Sequence, residues 1–187
     1  MKLKIALDFD NVIYSNKYIY ELLKNNNFQI EDIKTWKMLE LPFNIRKEIL
    51  QYFKKPNIMC NKDYIIEGAQ STISSLSEEY EIIIITNRED EEIKKATQIF
   101  IKELFPEVSK VFFTNSMKNK NEILISENVS LFVDDHPNIV IGAISAGIPT
   151  LLLSNKYTPH NHRLAKIIEN INHIKQIKQY LINNPIK

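Results

Sequence analysis

The segment LKIALDFDNV at residues 3–12 is a short apolar run that ends in two acidic residues, and it decides the fold class. Four further apolar, β-branched runs follow, at residues 81–85, 110–113, 131–133 and 150–153. Such runs are typical of parallel strands that helices cover on both faces. Helical patterns alternate with them, at residues 90–104, 119–126 and 137–146. The sequence therefore predicts an α/β fold with a Rossmann-like parallel sheet and helices on both faces.

Composition excludes several classes of protein. The chain has 187 residues and a formal net charge of +1, and this balance argues against nucleic acid as a partner. Its three glycines cannot form the GxGxxG or GxxxxGK[ST] loops of dinucleotide-binding enzymes and Walker-type NTPases. One cysteine cannot form an intrachain disulfide. Asp8 interrupts any apolar leader, and no apolar run is long enough to span a bilayer, so we expect no membrane association and a cytoplasmic location.

The interval between Asp10 and Thr86 is much longer than the roughly dozen residues of a simple βαβ crossover. Helical patterns occur within it at residues 19–24, 30–39, 44–53 and 64–76. We therefore expect residues 15–62 to form a small helical cap inserted after the first strand, on a core of residues 1–14 and 63–187. The apolar positions from His162 onward predict a terminal helix packed on the sheet, with a homodimer surface as the alternative.

Polar groups follow four of the predicted strands. Because the carboxyl ends of parallel strands meet at one edge of a sheet, these groups should lie together. They are Asp8, Asp10, Thr86, Asn87, Arg88, Asp134 and Asp135, with Lys118 and Lys120 after the third strand. Converging carboxylates repel one another by about 1 kcal/mol per pair even in water. A divalent cation would remove that conflict, and hard oxygen ligands favour Mg²⁺.

The pieces DFDNV at 8–12, IIIITNR at 82–88, KNEIL at 120–124 and LFVDD at 131–135, taken together, resemble the haloacid dehalogenase superfamily of aspartate-nucleophile phosphatases. The resemblance covers most of residues 1–155. One departure is Asn11, where many relatives have glycine. Asn tolerates a positive φ better than other non-glycine residues, so we expect the turn to be kept.

The resemblance implies a role for each matching residue. Asp8 is the nucleophile, and Asp10 first protonates the leaving oxygen and then activates water. Mg²⁺ is held by the carboxylates of Asp8 and Asp134 and by the carbonyl of Asp10, with Asp135 in support.

The phosphate-binding side chains implied in the same way are Thr86, Asn87 and Lys120. Lys118 competes with Lys120 for its role, and Lys120 is preferred because it opens a helix. Arg88 is either a further phosphate donor or the exposed start of the next helix.

A narrower resemblance concerns the substrate. The stretches 30–41 and 65–88 are similar to the 5'(3')-deoxyribonucleotidase family, which implies a nucleoside monophosphate as the small-molecule partner. Tyr14 and Trp36 are the candidate pocket residues, and the alternative for such rings is the core of the helical cap itself. Lys37 stands where relatives tend to have an acid. Another phosphate ester, such as a phosphosugar, and a catalytically silent phosphate-binding protein remain as alternatives. His160 and His162 are either metal ligands or loop residues.

Overall fold

A computed structural model describes residues 2–35, 37–155 and 157–186, with residues 117 and 118 described as backbone only. Within these residues, six parallel strands form one sheet in the order β3-β2-β1-β4-β5-β6. The strands are β1 (Lys4–Leu7), β2 (Glu81–Asn87), β3 (Val108–Thr114), β4 (Val129–Asp134), β5 (Thr150–Leu153) and β6 (Asn170–Ile171). The predicted parallel sheet is confirmed.

The α-helices alternate with the strands after β2 and cluster before it. They are α1 (Lys17–Asn25), α2 (Phe43–Tyr52), α3 (Pro56–Met59), α4 (Ala69–Ser77), α5 (Glu91–Leu104), α6 (Met117–Ser126), α7 (Pro137–Ser145) and α8 (Gln176–Asn183). Because side chains alternate along a strand, each strand contributes residues to the apolar layers on both faces of the sheet. Ile5 and Leu7 pack in the layer that includes α4, α5 and α8, whereas Ala6 packs with residues of α6 and α7. Helices thus cover both faces, as predicted.

The helical cap has an apolar cluster of its own. Residues of α1, α2 and α3 pack together in it, including Ile19, Leu23, Ile45 and Met59. Ile93 of α5 is buried in the same cluster, and Tyr64 packs against it. The division of the chain at residues 15 and 62 stays a prediction, but this cluster gives the inserted segment its own buried interior.

Two predicted cap helices have different bounds. A helix over residues 30–39 is wrong, since the described residues of this stretch, 30–35 and 37–39, contain no helix beyond a 3₁₀ turn at Ile30–Asp32. Asp32 accepts a hydrogen bond from the backbone of Gln29, and Met38 has a φ of 51°, which a helix cannot contain. The helix predicted over 64–76 begins only at Ala69, because Gly68 before it is left-handed, with a φ of 75°.

The terminal helix predicted from His162 onward begins only at Gln176, as α8, whose Ile177 and Leu181 pack in the core. The chain forms a 3₁₀ turn at Leu164–Lys166, then β6, and only then α8. Backbone groups on β5 account for the difference: Leu152 N–H donates to Glu169 O, and Ser154 N–H donates to Ile171 O. Pairing with the tail therefore satisfies an edge that a packed helix would leave open.

Candidate active site

The turn after β1 brings its two acidic residues to the carboxyl edge of the sheet. Asp8 N–H still donates to Val133 O of β4, at 2.8 Å, so Asp8 continues the strand direction. The chain then turns back, and the amides of Ile13 and Tyr14 both donate to Phe9 O. Asn11 occupies the left-handed position with a φ of 57°, as expected, and its side-chain amide donates to Asp135 Oδ2 at 2.8 Å. Asn11 therefore ties the turn to the end of β4.

Lys120 lies buried between two of the carboxylates. Its Nζ is 2.7 Å from Asp8 Oδ1 and 2.6 Å from Asp134 Oδ2, and the side chain is 2% exposed. Ser116 caps α6 by accepting a hydrogen bond from Asn119 N–H, which fixes the first turn of the helix that carries Lys120. The competing candidate, the side chain of Lys118, lies outside the described residues.

The charge state of Lys120 follows from its neighbours. Burial works to lower its pKa, but the negative charges of Asp134 and Asp8 outweigh that effect, and the pKa is raised. Lys120 thus remains an ammonium at every pH at which the protein would work.

Asp8, Asp134 and Asp135 form an acidic trio, in which one carboxylate oxygen from each lies within 4.8 Å of the others. Burial, only partly offset by Lys120, raises the pKa of Asp8 to about 7, and the charges of Asp134 and Asp10 add to the rise. Burial and the charges of Asp134 and Asp8 also raise the pKa of Asp135 well above its usual range. The single charge of Lys120 does not neutralise three carboxylates, so the trio has a negative charge that a bound cation could neutralise.

This donor set fits the expected magnesium ion. Hard carboxylate oxygens converge from two strand ends, with neither a thiolate nor an imidazole in the trio. Asp135, which was expected only to support the metal, stands with the two expected carboxylate ligands. The carboxylate of Asp10 is not part of this trio and contacts Arg88 instead. A bound Mg²⁺ would supply positive charge that offsets the carboxylates and polarises a phosphoryl oxygen.

Asp10 pairs with Arg88, and sequence reasoning missed this contact. Arg88 Nη1 lies 2.5 Å from Asp10 Oδ2, and Nη2 lies 2.9 Å from Asp10 Oδ1. Arg88 is 6% exposed, which overturns the alternative in which it is an exposed helix start. The N–H of Arg88 donates to Thr114 O, so the residue extends the pairing of β2 with β3 by one position beyond Asn87. The pair joins positions 78 residues apart, and no local pattern signals it.

Thr86 ends the buried part of β2 beside Asn87, which is exposed. Thr86 is fully buried, and its Oγ1 has no hydrogen-bond partner among the described residues. Buried side-chain polar atoms usually have a hydrogen-bond partner, so this hydroxyl keeps its capacity to bind a ligand. Thr86 can therefore donate to an anion at this edge of the sheet, and Asn87 can do so from the solvent side.

The structure places the Tyr14 ring in the core rather than along an open pocket. The ring is fully buried and stacks on Phe9, at a centroid distance of 5.2 Å. Its hydroxyl donates to Ile58 O and accepts a hydrogen bond from Asn61 N–H at 3.0 Å. Tyr14 joins the helical cap to the core. The other candidate, Trp36, lies outside the described residues.

The loop after β5 closes the site on the side of Asp135. Asn161 is fully buried, and its side-chain amide donates to Asp135 O and Leu153 O, at 2.5 and 2.9 Å. This anchoring residue had no signal in the sequence. His162 contacts Asn155 O at 3.1 Å, and among the described side chains no three-residue metal group includes His160 or His162. His160 lies in the 3₁₀ turn at Pro159–Asn161, and His162 directly follows it.

Comparison with solved structures identifies the fold. A haloacid dehalogenase-like hydrolase of Streptococcus pneumoniae matches with a TM-score of 0.64 and 13% identity, over 96% of this chain and 98% of that one. The chain has the haloacid dehalogenase fold. A hydrolase of Bacillus subtilis with this fold, solved with bound magnesium, matches with a TM-score of 0.61 and 16% identity, over 98% and 99% of the two chains.

A 2-haloacid dehalogenase of Pseudomonas syringae has the same fold, with a TM-score of 0.53 and 13% identity over 98% of this chain and 99% of that one. By sequence, no family model and no curated protein matches. Nothing in these comparisons points specifically to a deoxyribonucleotidase. Among the described residues, no helix is long and apolar enough to cross a membrane.

Proposed function

We propose that this protein is a Mg²⁺-dependent phosphomonoesterase with Asp8 as its nucleophile. The observation that carries the proposal is the position of Lys120 Nζ, which contacts both Asp8 and Asp134, two members of the acidic trio. An anionic nucleophile attacks a phosphate dianion only where cations cancel the repulsion. The buried ammonium provides one positive charge, and a metal held by the trio would provide the rest.

The reaction proceeds in two displacements at phosphorus. In the first, an oxygen of Asp8 attacks phosphorus, the ester P–O bond breaks, and Asp10 gives a proton to the departing alcohol oxygen. In the second, Asp10 takes a proton from water, the water oxygen attacks phosphorus, and the bond to Asp8 breaks. Inorganic phosphate leaves with Asp8 again a carboxylate. Lys120 and the unpartnered hydroxyl of Thr86 bind the phosphoryl oxygens throughout.

The proposed substrate is a nucleoside monophosphate. Support comes from the sequence similarity of stretches 30–41 and 65–88 to the deoxyribonucleotidase family and from aromatic residues around the helical cap. Tyr20 of α1 stacks on Tyr157, with the centroids 4.7 Å apart, and so links the helical cap to the loop beside Asp135. A flat nucleobase is recognised well by such rings.

Asp10 favours ester hydrolysis over the dehalogenation carried out by some proteins of this fold. A departing halide needs no proton, whereas a departing alkoxide does. A second carboxyl group next to the nucleophile, together with three clustered carboxylates, is therefore better suited to a phosphate ester. The same residues argue against a silent phosphate-binding protein, because a binder gains nothing from several negative charges facing its anion.

The experiment is inorganic phosphate release from deoxy- and ribonucleoside monophosphates, sugar phosphates and 4-nitrophenyl phosphate, with Mg²⁺ and with EDTA. Wild type should act on the nucleotides only with Mg²⁺, and Asp8→Asn should lower kcat at least about 10³-fold. Asp63→Asn, which changes an exposed carboxylate in the same way, is the matched control. Wild-type turnover by Asp8→Asn would refute the nucleophile. Activity confined to sugar phosphates would keep the chemistry and replace the substrate.

A further inference from the structure

Arg88 is held on several sides at the carboxyl edge of the sheet. Its two terminal nitrogens form the bidentate pair with Asp10, and Nη1 also donates to Asn87 O at 2.9 Å. Its Cζ lies 5.7 Å from the centroid of the Phe9 ring, within range of a cation–π contact. Phe9, which stands between Asp8 and Asp10 in the sequence, is fully buried. The guanidinium therefore has one orientation available, and it fixes the Asp10 carboxyl group in turn.

Stability alone does not account for this pair. Taking two charged groups out of water costs several kcal/mol each, and buried ion pairs are often no better than apolar residues of similar volume. Arg88 Nε is also buried without a hydrogen-bond partner among the described residues, which is a further cost. Such an arrangement, located two residues from the proposed nucleophile, is better explained by a requirement on where Asp10 points.

We infer that Arg88 is a positioning residue, which holds the Asp10 carboxyl group at the leaving-group side of the reacting phosphate. The inference rests on the proposed function. A carboxyl group has about four lone-pair positions, and the guanidinium occupies only two of them. The remaining positions leave Asp10 able to carry a proton to the departing oxygen and to take one from water, while its orientation is kept.

The inference predicts a dependence on the leaving group. A departing alkoxide needs a correctly aimed acid, whereas 4-nitrophenolate is a stable anion and leaves without one. Arg88→Lys keeps the positive charge but cannot form the bidentate contact with Asp10. Arg88→Met keeps a similar side-chain volume but loses both the charge and the bidentate contact. For a deoxynucleoside 5'-monophosphate, both variants should lower kcat about 10²-fold, the lower end of what general acid–base catalysis contributes.

The two half-reactions can be separated with 4-nitrophenyl phosphate in a rapid-mixing experiment. Formation of the aspartyl-phosphate releases 4-nitrophenol and needs no acid, so its burst should slow by less than about tenfold in both variants. The second half-reaction needs Asp10 to activate water. Steady-state turnover should therefore fall well below the burst rate, and the burst should become larger relative to turnover. A general loosening of the fold would slow the burst and the turnover alike.

A double-mutant cycle tests whether Arg88 acts through Asp10. If it does, Arg88→Met combined with Asp10→Asn should have the same kcat on the nucleotide as Asp10→Asn alone, because residues that act as a unit are not additive. Urea unfolding of each variant shows that it is folded under the assay conditions. Arg46→Met, in the helical cap, removes an arginine whose guanidinium contacts the exposed ring of Phe43, and it is the matched control.

The outcomes separate the inference from the function beneath it. Multiplicative losses in the double variant, or a raised KM with unchanged kcat, would mean that Arg88 acts on the substrate directly, and the inference would be overturned. The same holds if Arg88→Lys slows the 4-nitrophenol burst as much as it slows turnover of the nucleotide. Absence of Mg²⁺-dependent turnover by wild type on every ester would instead overturn the proposed function, and the inference with it.

Discussion

Replacing the nucleophile should make the metal-free protein more stable. Asp8 is 7% exposed and faces Asp134 and Asp135, so its ionised form is disfavoured in the folded state. Asn has nearly the shape of the neutral carboxyl group, and its oxygen can still accept a hydrogen bond from Lys120. Asp8→Asn therefore removes a buried negative charge while keeping the contact that packs the site. A residue kept for activity at a cost in stability is common at active sites.

The size of the effect follows from the pKa of Asp8, which burial, with the neighbouring carboxylates, raises from 3.8 to about 7 in the folded protein. Because the folded pKa is the higher one, wild type loses stability as pH rises from about 4 to about 7. Each pKa unit corresponds to about 1.4 kcal/mol, so at pH 8 the ionised carboxylate costs on the order of 4 kcal/mol. At pH 5 the cost falls to about 2 kcal/mol, at pH 4 to about 0.5 kcal/mol, and it vanishes only below about pH 3.

The assay is urea unfolding of wild type and Asp8→Asn in EDTA at pH 4, 5 and 8, with Asp63→Asn as the control. The variant should be more stable at pH 8, and its advantage should shrink as the pH falls. Saturating Mg²⁺ should stabilise wild type more than the variant, because the metal binds only the folded site and the variant has lost one ligand. An Asp8→Asn protein that is less stable than wild type in EDTA at pH 8 would refute the charge conflict.

Three further predictions concern residues around the site. Tyr14→Phe leaves Ile58 O and Asn61 N–H without their partner and should cost about 1–3 kcal/mol of unfolding free energy, with kcat nearly unchanged; a large kcat loss in the folded variant would contradict its structural role. Asn11→Gly should keep activity and Asn11→Ala should lose about 1–2 kcal/mol more stability, since a φ of 57° is strained for alanine; equal unfolding free energies would contradict this. Burial, together with the charges of His136 and His162, lowers the pKa of His160 to about 4, so the folded protein binds fewer protons than the unfolded chain as pH falls below about 6.5. Going from pH 7 to pH 5 should therefore cost wild type about 2 kcal/mol that His160→Gln does not lose, and parallel pH profiles of unfolding would refute this.

The sequence predicts the sheet well because its information is local. Each of the first five strands is an apolar run that needs no distant partner to be recognised, and the acidic residues at the ends of β1 and β4 mark the reactive edge. Asn11 could be anticipated too, since its left-handed conformation is a property of one residue. Parallel topology then determines that Asp8 and Asp134 meet, although they are far apart in the chain.

What the sequence does not predict depends on distant partners. The strand β6 forms because the tail satisfies the open edge of β5, and nothing in residues 170–171 alone distinguishes it from helix. The role of Arg88 is fixed by Asp10, and that of Tyr14 by backbone groups of residues 58 and 61. The segment at 30–39 has a helical pattern, yet its backbone is not helical there. Leu39 N–H donates to the side chain of Thr35, and Met38 has a positive φ, and both are incompatible with a continuous helix.

The most direct test of the account is to locate the phosphoryl group on the enzyme. Wild type with Mg²⁺ would be mixed with a radiolabelled phosphate ester, quenched in acid within the first turnover and digested. The account predicts label on the peptide that contains Asp8, and none with EDTA or with Asp8→Asn. Turnover accompanied by label on a different residue, or continued turnover by Asp8→Asn, would contradict it.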